Sequence, residues 1–219
     1  MQLSRLVLNL RSASVLRDLA DAQAFHRTLM MAFGIAPDGA TARDHFGVLY
    51  RREMAADTIP VVLVASLAEP RWEALPPGYL VAEAAMRSTD AAYDALAPGQ
   101  VLRFRLVASP TKNVQSASVI DGSRARGTKR PVHDCTEAVV WLRRRLQTAG
   151  VELLDGHEVV PADAAHGKRG PAGQISLHGY RFDGMLRVRD ADALRRALAE
   201  GIGPGKAYGF GMLTVARIG

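Results

Sequence analysis

The order of hydrophobic periodicities predicts an α+β chain built from two tandem ferredoxin-like (RRM-like) units, each β-α-β-β-α-β. Three observations carry this reading. Strand-length runs alternate apolar and polar residues, helical stripes interrupt those runs in the same order twice, and the stretch DALAPGQ at 94–100 places Pro98 and Gly99 between the two sets. A supersecondary order that recurs along one chain reads as a duplicated unit. The expected units are 1–93 and 101–219, joined by a linker at 94–100.

In the first unit, alternation over Leu3–Leu10 predicts a strand. A helix follows over Asp18–Phe33, with Leu19, Ala22, Phe25, Leu29 and Phe33 on one stripe, Asp18 as its first-turn acid or N-cap and Gly34 as its stop. Strands are expected at Phe46–Arg51 and Ile59–Leu67, a short helix near Arg71–Leu75, and a strand at Tyr79–Ala84. The second unit opens on a strand at Val101–Ala108 and continues through a helix at Asp134–Ala149 stopped by Gly150. Strands near Glu152–Val160 and Gln174–Val188, a helix at Ala191–Glu200 and a final strand at Phe210–Arg217 complete it.

Hydrophobic residues make up 48% of the 219 and charged residues 23%, the balance of a folded globular chain. One cysteine, Cys135, excludes an intrachain disulfide, and no run approaches the length of a membrane span. A cytoplasmic protein without a secretory signal is expected. The formal charge of +6 is concentrated: Arg103, Arg105, Lys112, Arg124, Arg126, Lys129 and Arg130 stand against the single acid Asp121. With Gly122, Ser123 and Gly127 and few large apolar groups, that stretch reads as a basic loop suited to a polyanion.

The run GIGPGKAYGFGML at 201–213 holds Gly201, Gly203, Gly205, Gly209 and Gly211. Glycine reaches positive φ freely, so such a run can turn backbone N–H groups into an anion-binding concavity, with Lys206 adding charge. It is not a nucleotide-hydrolase phosphate loop, because the spacing before Lys206 is one residue short and Ala207 stands where a hydroxyl would bind the metal. Nor is it a dinucleotide fingerprint, since it follows a helix and leads into a strand. His157, Glu158, Asp163 and His166 lack paired-cysteine or HExxH spacing, so no metal or cofactor is expected.

The glycine run, LSRLVLNL at the start, FHRTLMMAF around His26, LRFRLVASPTKN from Leu102 to Asn113 and VVWLRRRL from Val139 to Leu146 together resemble the CasE-like crRNA-processing endoribonucleases of Cascade, members of the repeat-associated RNA-binding proteins. The resemblance runs from Gln2 to Arg217 and implies the same tandem ferredoxin-like fold. It also implies a metal-independent endoribonuclease that cuts CRISPR repeat stem-loops, leaves 2′,3′-cyclic phosphate and 5′-hydroxyl ends, and stays with crRNA among the other Cascade subunits. His26 matches the family's acid/base histidine on the first helix; on the helical wheel it lies at the edge of the apolar stripe, half presented. Where family members can carry a tyrosine one turn earlier, this chain has Gln23, whose amide exchanges no proton near neutrality, so His26 is expected to do more of the proton transfer alone.

The resemblance and the charge pattern name RNA-binding candidates: Arg27 beside His26, Lys112, Arg124, Arg126, Lys129 and Arg130 of the basic loop, Arg145 of the trio 143–145, Lys168 and Arg169 at a hairpin end, and Lys206. A catalytically silent crRNA-binding subunit of the same fold is the alternative, to which Gln23 gives weight. A regulatory protein binding a phosphorylated metabolite is the third reading, and so spread a basic surface argues against it.

Overall fold

The computed structural model describes residues 1–37, 39–55, 59–114, 119–120, 123–124, 128–169 and 173–218. Both halves have the predicted architecture. In the first, β1 (Gln2–Val7) alternates inward Ser4 and Leu6 with outward Arg5, as a strand with one buried face must, and Leu8 just beyond it is buried too. The expected single helix is two, α1 (Ala13–Ala20) and α2 (Ala22–Met30). Asp21 breaks it: its extended backbone and a carboxylate that accepts the N–H of Gln23 (2.8 Å) and of Ala24 (3.1 Å) restart the helix, a competition that apolar periodicity does not register. Asp18 is therefore no N-cap. It lies buried inside α1, accepting the Tyr79 hydroxyl at 2.9 Å and Arg17 at 2.8 Å.

Next come α3 (Ala42–His45), β2 (Leu49–Ala55) and β3 (Ile59–Ser66). β2 begins later than predicted because Phe46 stacks on Phe33 and Gly47 turns at φ 60° before pairing starts. The second helix of this half shrinks to a 3-10 turn, Trp72–Ala74, since Pro70, Pro76 and Pro77 leave it no length. The fourth strand, β4, is Ala85–Ser88, not Tyr79–Ala84; Leu80 makes only an isolated bridge to Leu8 and Tyr79 is core. The short α4 (Asp90–Asp94) leads through Gly99, φ 88°, into the second half.

There, β5 is Val101–Ala108, as predicted. The described parts of the basic segment are strands rather than irregular loop: β6 (Thr111–Val114), β7 (Val119–Ile120), β8 (Ser123–Arg124) and β9 (Thr128–Pro131), with β6 paired to β9 and β7 to β8. Helix α5 (Cys135–Thr148) is capped by Asp134, which accepts the Glu137 N–H at 2.9 Å. β10 (Val151–Leu153), β11 (Glu158–Arg169), β12 (Gly173–Val188), α6 (Ala191–Glu200), a 3-10 turn at Lys206–Tyr208 and β13 (Leu213–Arg217) follow.

The sheets run β2-β3-β1-β4 and β10-β12-β5-β13, the same order of second, third, first and fourth strand in each half. Among the described residues β11 pairs only with β12, so this hairpin extends beyond the four strands of that order. Each half has its own core, one around Phe25, Leu29, Val62 and Tyr79, the other around Phe104, Trp141, Leu142, Phe182 and Leu194. Arg51 joins them. It is 2% exposed, and its guanidinium donates to the carbonyls of Arg105 and Met212 (3.2 Å each), to Thr214 Oγ1 (3.1 Å) and to Glu53 (2.8 Å). Among the described residues no helix is long and apolar enough to cross a membrane.

Candidate active site

The break at Asp21 gives α2 its own direction, with Phe25 and Leu29 in the core and Gln23 and His26 on an adjoining half-buried face, three residues and so one turn apart. The degree of burial is the one the helical wheel predicts for His26. Its Nδ1 is buried and has no hydrogen-bond partner among the described residues. Burial, and next the nearby Arg43 guanidinium, hold the imidazole below its ordinary value, so the neutral ring persists into mildly acidic solution.

Two elements far away in sequence close around α2. Hairpin β11–β12 crosses its N-terminus so tightly that a Cβ on Gly167 would stand 2.8 Å from Asp21 Oδ1. The glycine run meets the other side. Tyr208, in the 3-10 turn Lys206–Tyr208, sits edge-on to His26 with ring centroids 6.5 Å apart at 68°, and its hydroxyl donates to Gln23 Oε1 at 3.1 Å. Gly205 and Gly209 flank that turn in the left-handed region, φ 81° and 86°, where a side chain is strained. Tyr50 of β2 fixes it further by donating its hydroxyl to the Ala207 carbonyl at 2.9 Å.

The anion-concavity reading of the glycines is corrected in part. The Gly201 N–H is committed to the Ala197 carbonyl and the Gly211 N–H to the Val107 carbonyl, while a Cβ on Gly203 would lie 2.9 Å from the Trp141 ring; these three glycines serve close packing. The N–H groups of Gly203, Gly205 and Gly209 make no hydrogen bonds within the described residues.

Lys206 is half-buried beside the same site, and burial, then Arg43, pull its ammonium below the ordinary lysine range. Arg43, from α3, is itself mostly buried and ion-pairs with Asp44. Imidazole, phenol, guanidinium and ammonium thus converge on one patch. A cleft of about 1130 Å³ between the two sheets, lined by Arg87, Arg103, Arg105 and Arg217 among others, does not include His26.

The remaining candidates are dispersed. Arg27 is exposed on α2, next to the site. Lys129 and Arg130 are exposed on β9, where Arg130 pairs with Lys112 and Lys129 with Asn113. Lys112 is held by both oxygens of Glu137, each at 2.8 Å, and Arg145 lies 5.6 Å over the Trp141 ring. Lys168 is exposed near the end of β11; Arg169 and Arg124 lie in strands whose backbone alone is described, and Arg126 lies outside the described residues. Sequence reasoning missed Arg43 and Tyr208. The one available signal was a lone hydroxyl-bearing aromatic inside a glycine run, and nothing local tied it to α2.

Residues 1–217 match the family model described as CRISPR associated protein. The chain is 35% identical over 227 residues to the CRISPR-associated endoribonuclease Cse3 of Thermus thermophilus, covering 99% of this chain and 100% of that one. It is 30% identical to the CRISPR system Cascade subunit CasE of Escherichia coli over 127 residues, 55% of this chain and 60% of that one. A solved structure of CRISPR endoribonuclease Cse3 bound to 19 nt RNA is 34% identical and superposes with a TM-score of 0.82 over 99% of this chain and 100% of that chain. A match of nearly full length in both sequence and structure settles descent: the chain belongs to the CRISPR associated protein family.

Proposed function

We propose that the protein is a metal-independent endoribonuclease that cuts CRISPR repeat stem-loops in precursor crRNA and retains the product as a subunit of Cascade in the cytoplasm. The observation that carries this reading is His26, a half-exposed imidazole kept neutral by its surroundings and set among Arg43 and Lys206, in a chain whose full-length relative is named an endoribonuclease. The imidazole takes the proton of the 2′-OH, the 2′ oxygen bonds to phosphorus, and the bond to the 5′ oxygen breaks with its electron pair on that oxygen, which takes up one proton, leaving a 2′,3′-cyclic phosphate and a 5′-hydroxyl. Arg43 and Lys206 offset the charge that gathers on the phosphate oxygens. The stem is held through shape and phosphates, because A-form RNA hides its base edges in a deep narrow groove. Arg27, Lys129, Arg130 and Lys168, all exposed, supply that grip, and Arg124, Arg126 and Arg169 are assigned to it by their charge in the sequence alone.

Incubation with cognate repeat RNA in excess chelator tests the reading. Cleavage with cyclic-phosphate ends is expected, a single 2′-deoxy substitution at the cut site blocks it, and His26→Ala abolishes it while binding persists. Binding without cleavage by the wild-type protein would leave only a crRNA-holding subunit.

A further inference from the structure

We propose that Tyr208 is a second catalytic group: its phenol, oriented by Gln23, gives a proton to the departing 5′ oxygen. The inference rests on the endoribonuclease reading above and completes its proton bookkeeping. Transesterification moves two protons, one off the 2′-OH and one onto the leaving oxygen. A single imidazole performs both only in sequence, so a second donor on the same patch matters.

The geometry points to the phenol. Tyr208 reaches α2 from the opposite half of the chain, 185 residues from Gln23, on a turn clamped by two left-handed glycines and by the Tyr50 hydrogen bond. A tyrosine retained for packing alone needs its ring. This one directs its hydroxyl to an amide one helical turn from the imidazole, and the two rings meet edge to face at 6.5 Å. Without RNA the phenol's single hydrogen is donated to Gln23 Oε1. With RNA bound, that hydrogen turns to the 5′ oxygen while the Gln23 amide turns to donate its Nε2–H to the phenol oxygen, so Gln23 exchanges no proton and is a positioning residue. In the step, the 2′-OH proton passes to His26 and the 2′ oxygen bonds to phosphorus. The bond from phosphorus to the 5′ oxygen breaks with its electron pair on that oxygen, which takes the Tyr208 proton. Phenolate and imidazolium then re-equilibrate through water. Lys206, the other nearby group with a proton to give, lies beside Arg43, and its charge suits the phosphate.

The test is single-turnover cleavage of repeat RNA carrying either oxygen or sulfur at the 5′ bridging position, because a departing thiolate needs no acid. Tyr208→Phe keeps the ring and is expected to slow the oxygen substrate about 100-fold, within the usual range for a lost acid. Its affinity for 2′-deoxy repeat RNA should match wild type, and on the sulfur substrate its rate should be restored to the wild-type rate. Gln23→Ala should show the same pattern with a smaller slowing than Tyr208→Phe, while His26→Ala stays impaired on both substrates. Wild-type cleavage of the oxygen substrate by Tyr208→Phe, or equal slowing on both substrates, overturns the role of Tyr208 and leaves the endoribonuclease intact. Sulfur rescue of Lys206→Met instead of Tyr208→Phe transfers the role to Lys206 and also overturns it. Failure of the wild-type protein to cut either substrate overturns the parent reading with it.

Discussion

The two halves thread four strands in the same order but use their helices differently. In the second half α5 and α6 are long, Asp-capped and given over to packing, with Trp141, Leu142, Leu146, Leu194 and Leu198 in the core; what it offers the site are connections, the glycine run and the β11–β12 hairpin. In the first half one helix has collapsed to a 3-10 turn between prolines and the other is broken at Asp21, and the restarted α2 carries the imidazole. A helix locked into a core holds a reacting group still, while a loop and a hairpin from the other half of the chain reach over it. The duplicated fold thus divides the labour between rigid presentation and enclosure.

That division requires the halves to stay in register, which Arg51 enforces. Arg51→Met removes the donor to two carbonyls, Thr214 and Glu53 at a buried position, although Arg105 still lies 3.6 Å from Glu53. A loss of about 3 kcal/mol is expected, at the low end for breaking a buried pair. For a chain of this size that corresponds to a melting temperature lower by about 9 °C. Cleavage should fall several-fold even below the new midpoint, since Tyr208 and His26 come from opposite halves. Thermal unfolding and cleavage at a fixed lower temperature check both; unchanged values would mean that the surfaces between the halves hold without this residue.

Arg43 sharpens the comparison from inside the first half. Because the folded environment lowers the His26 pKa, a rate that needs the neutral imidazole falls only at a pH below the ordinary histidine range. Arg43→Met removes a positive neighbour, making protonation easier, so the acidic limb of the pH–rate profile moves to higher pH. Burial is the larger cause and remains, so the shift recovers only part of the depression. The position of the limb is read independently of the height of the plateau; a limb that stays in place or moves down separates Arg43 from the imidazole.

Much of this was legible in the chain. β5 and α6 occupy their predicted residues because alternation over Val101–Ala108 and an Asp-capped amphipathic stripe over Ala191–Glu200 are both strong local signals. The half-presentation of His26 followed from its place at the edge of a stripe. Three features were not legible, each for a physical reason. Asp21 offers a cap inside an unbroken periodicity; β4 is an edge strand exposed at all four residues and so has no apolar alternation; and the contact of Tyr208 with Gln23 joins residues 185 apart in the chain. Local pattern reports local structure, and the site is a long-range object.

The smallest expected effect separates two lysines of the second half that look alike in sequence. Lys168 is exposed near the end of a hairpin that crosses α2, whereas Lys112 is already held by both oxygens of Glu137. A lysine that neutralises one phosphate contributes about one to the slope of log affinity against log salt. Lys168→Ala should therefore lower that slope by about one, weaken binding at every repeat sequence alike, and leave the rate of bound RNA unchanged. Lys112→Ala should change the slope by less, because its ammonium must first leave Glu137, an exposed pair itself worth only about 0–1 kcal/mol. Filter binding across a salt series distinguishes them. Equal slopes for the two variants would mean that the RNA draws Lys112 off its partner, and that the β6–β9 ribbon grips as directly as the hairpin does.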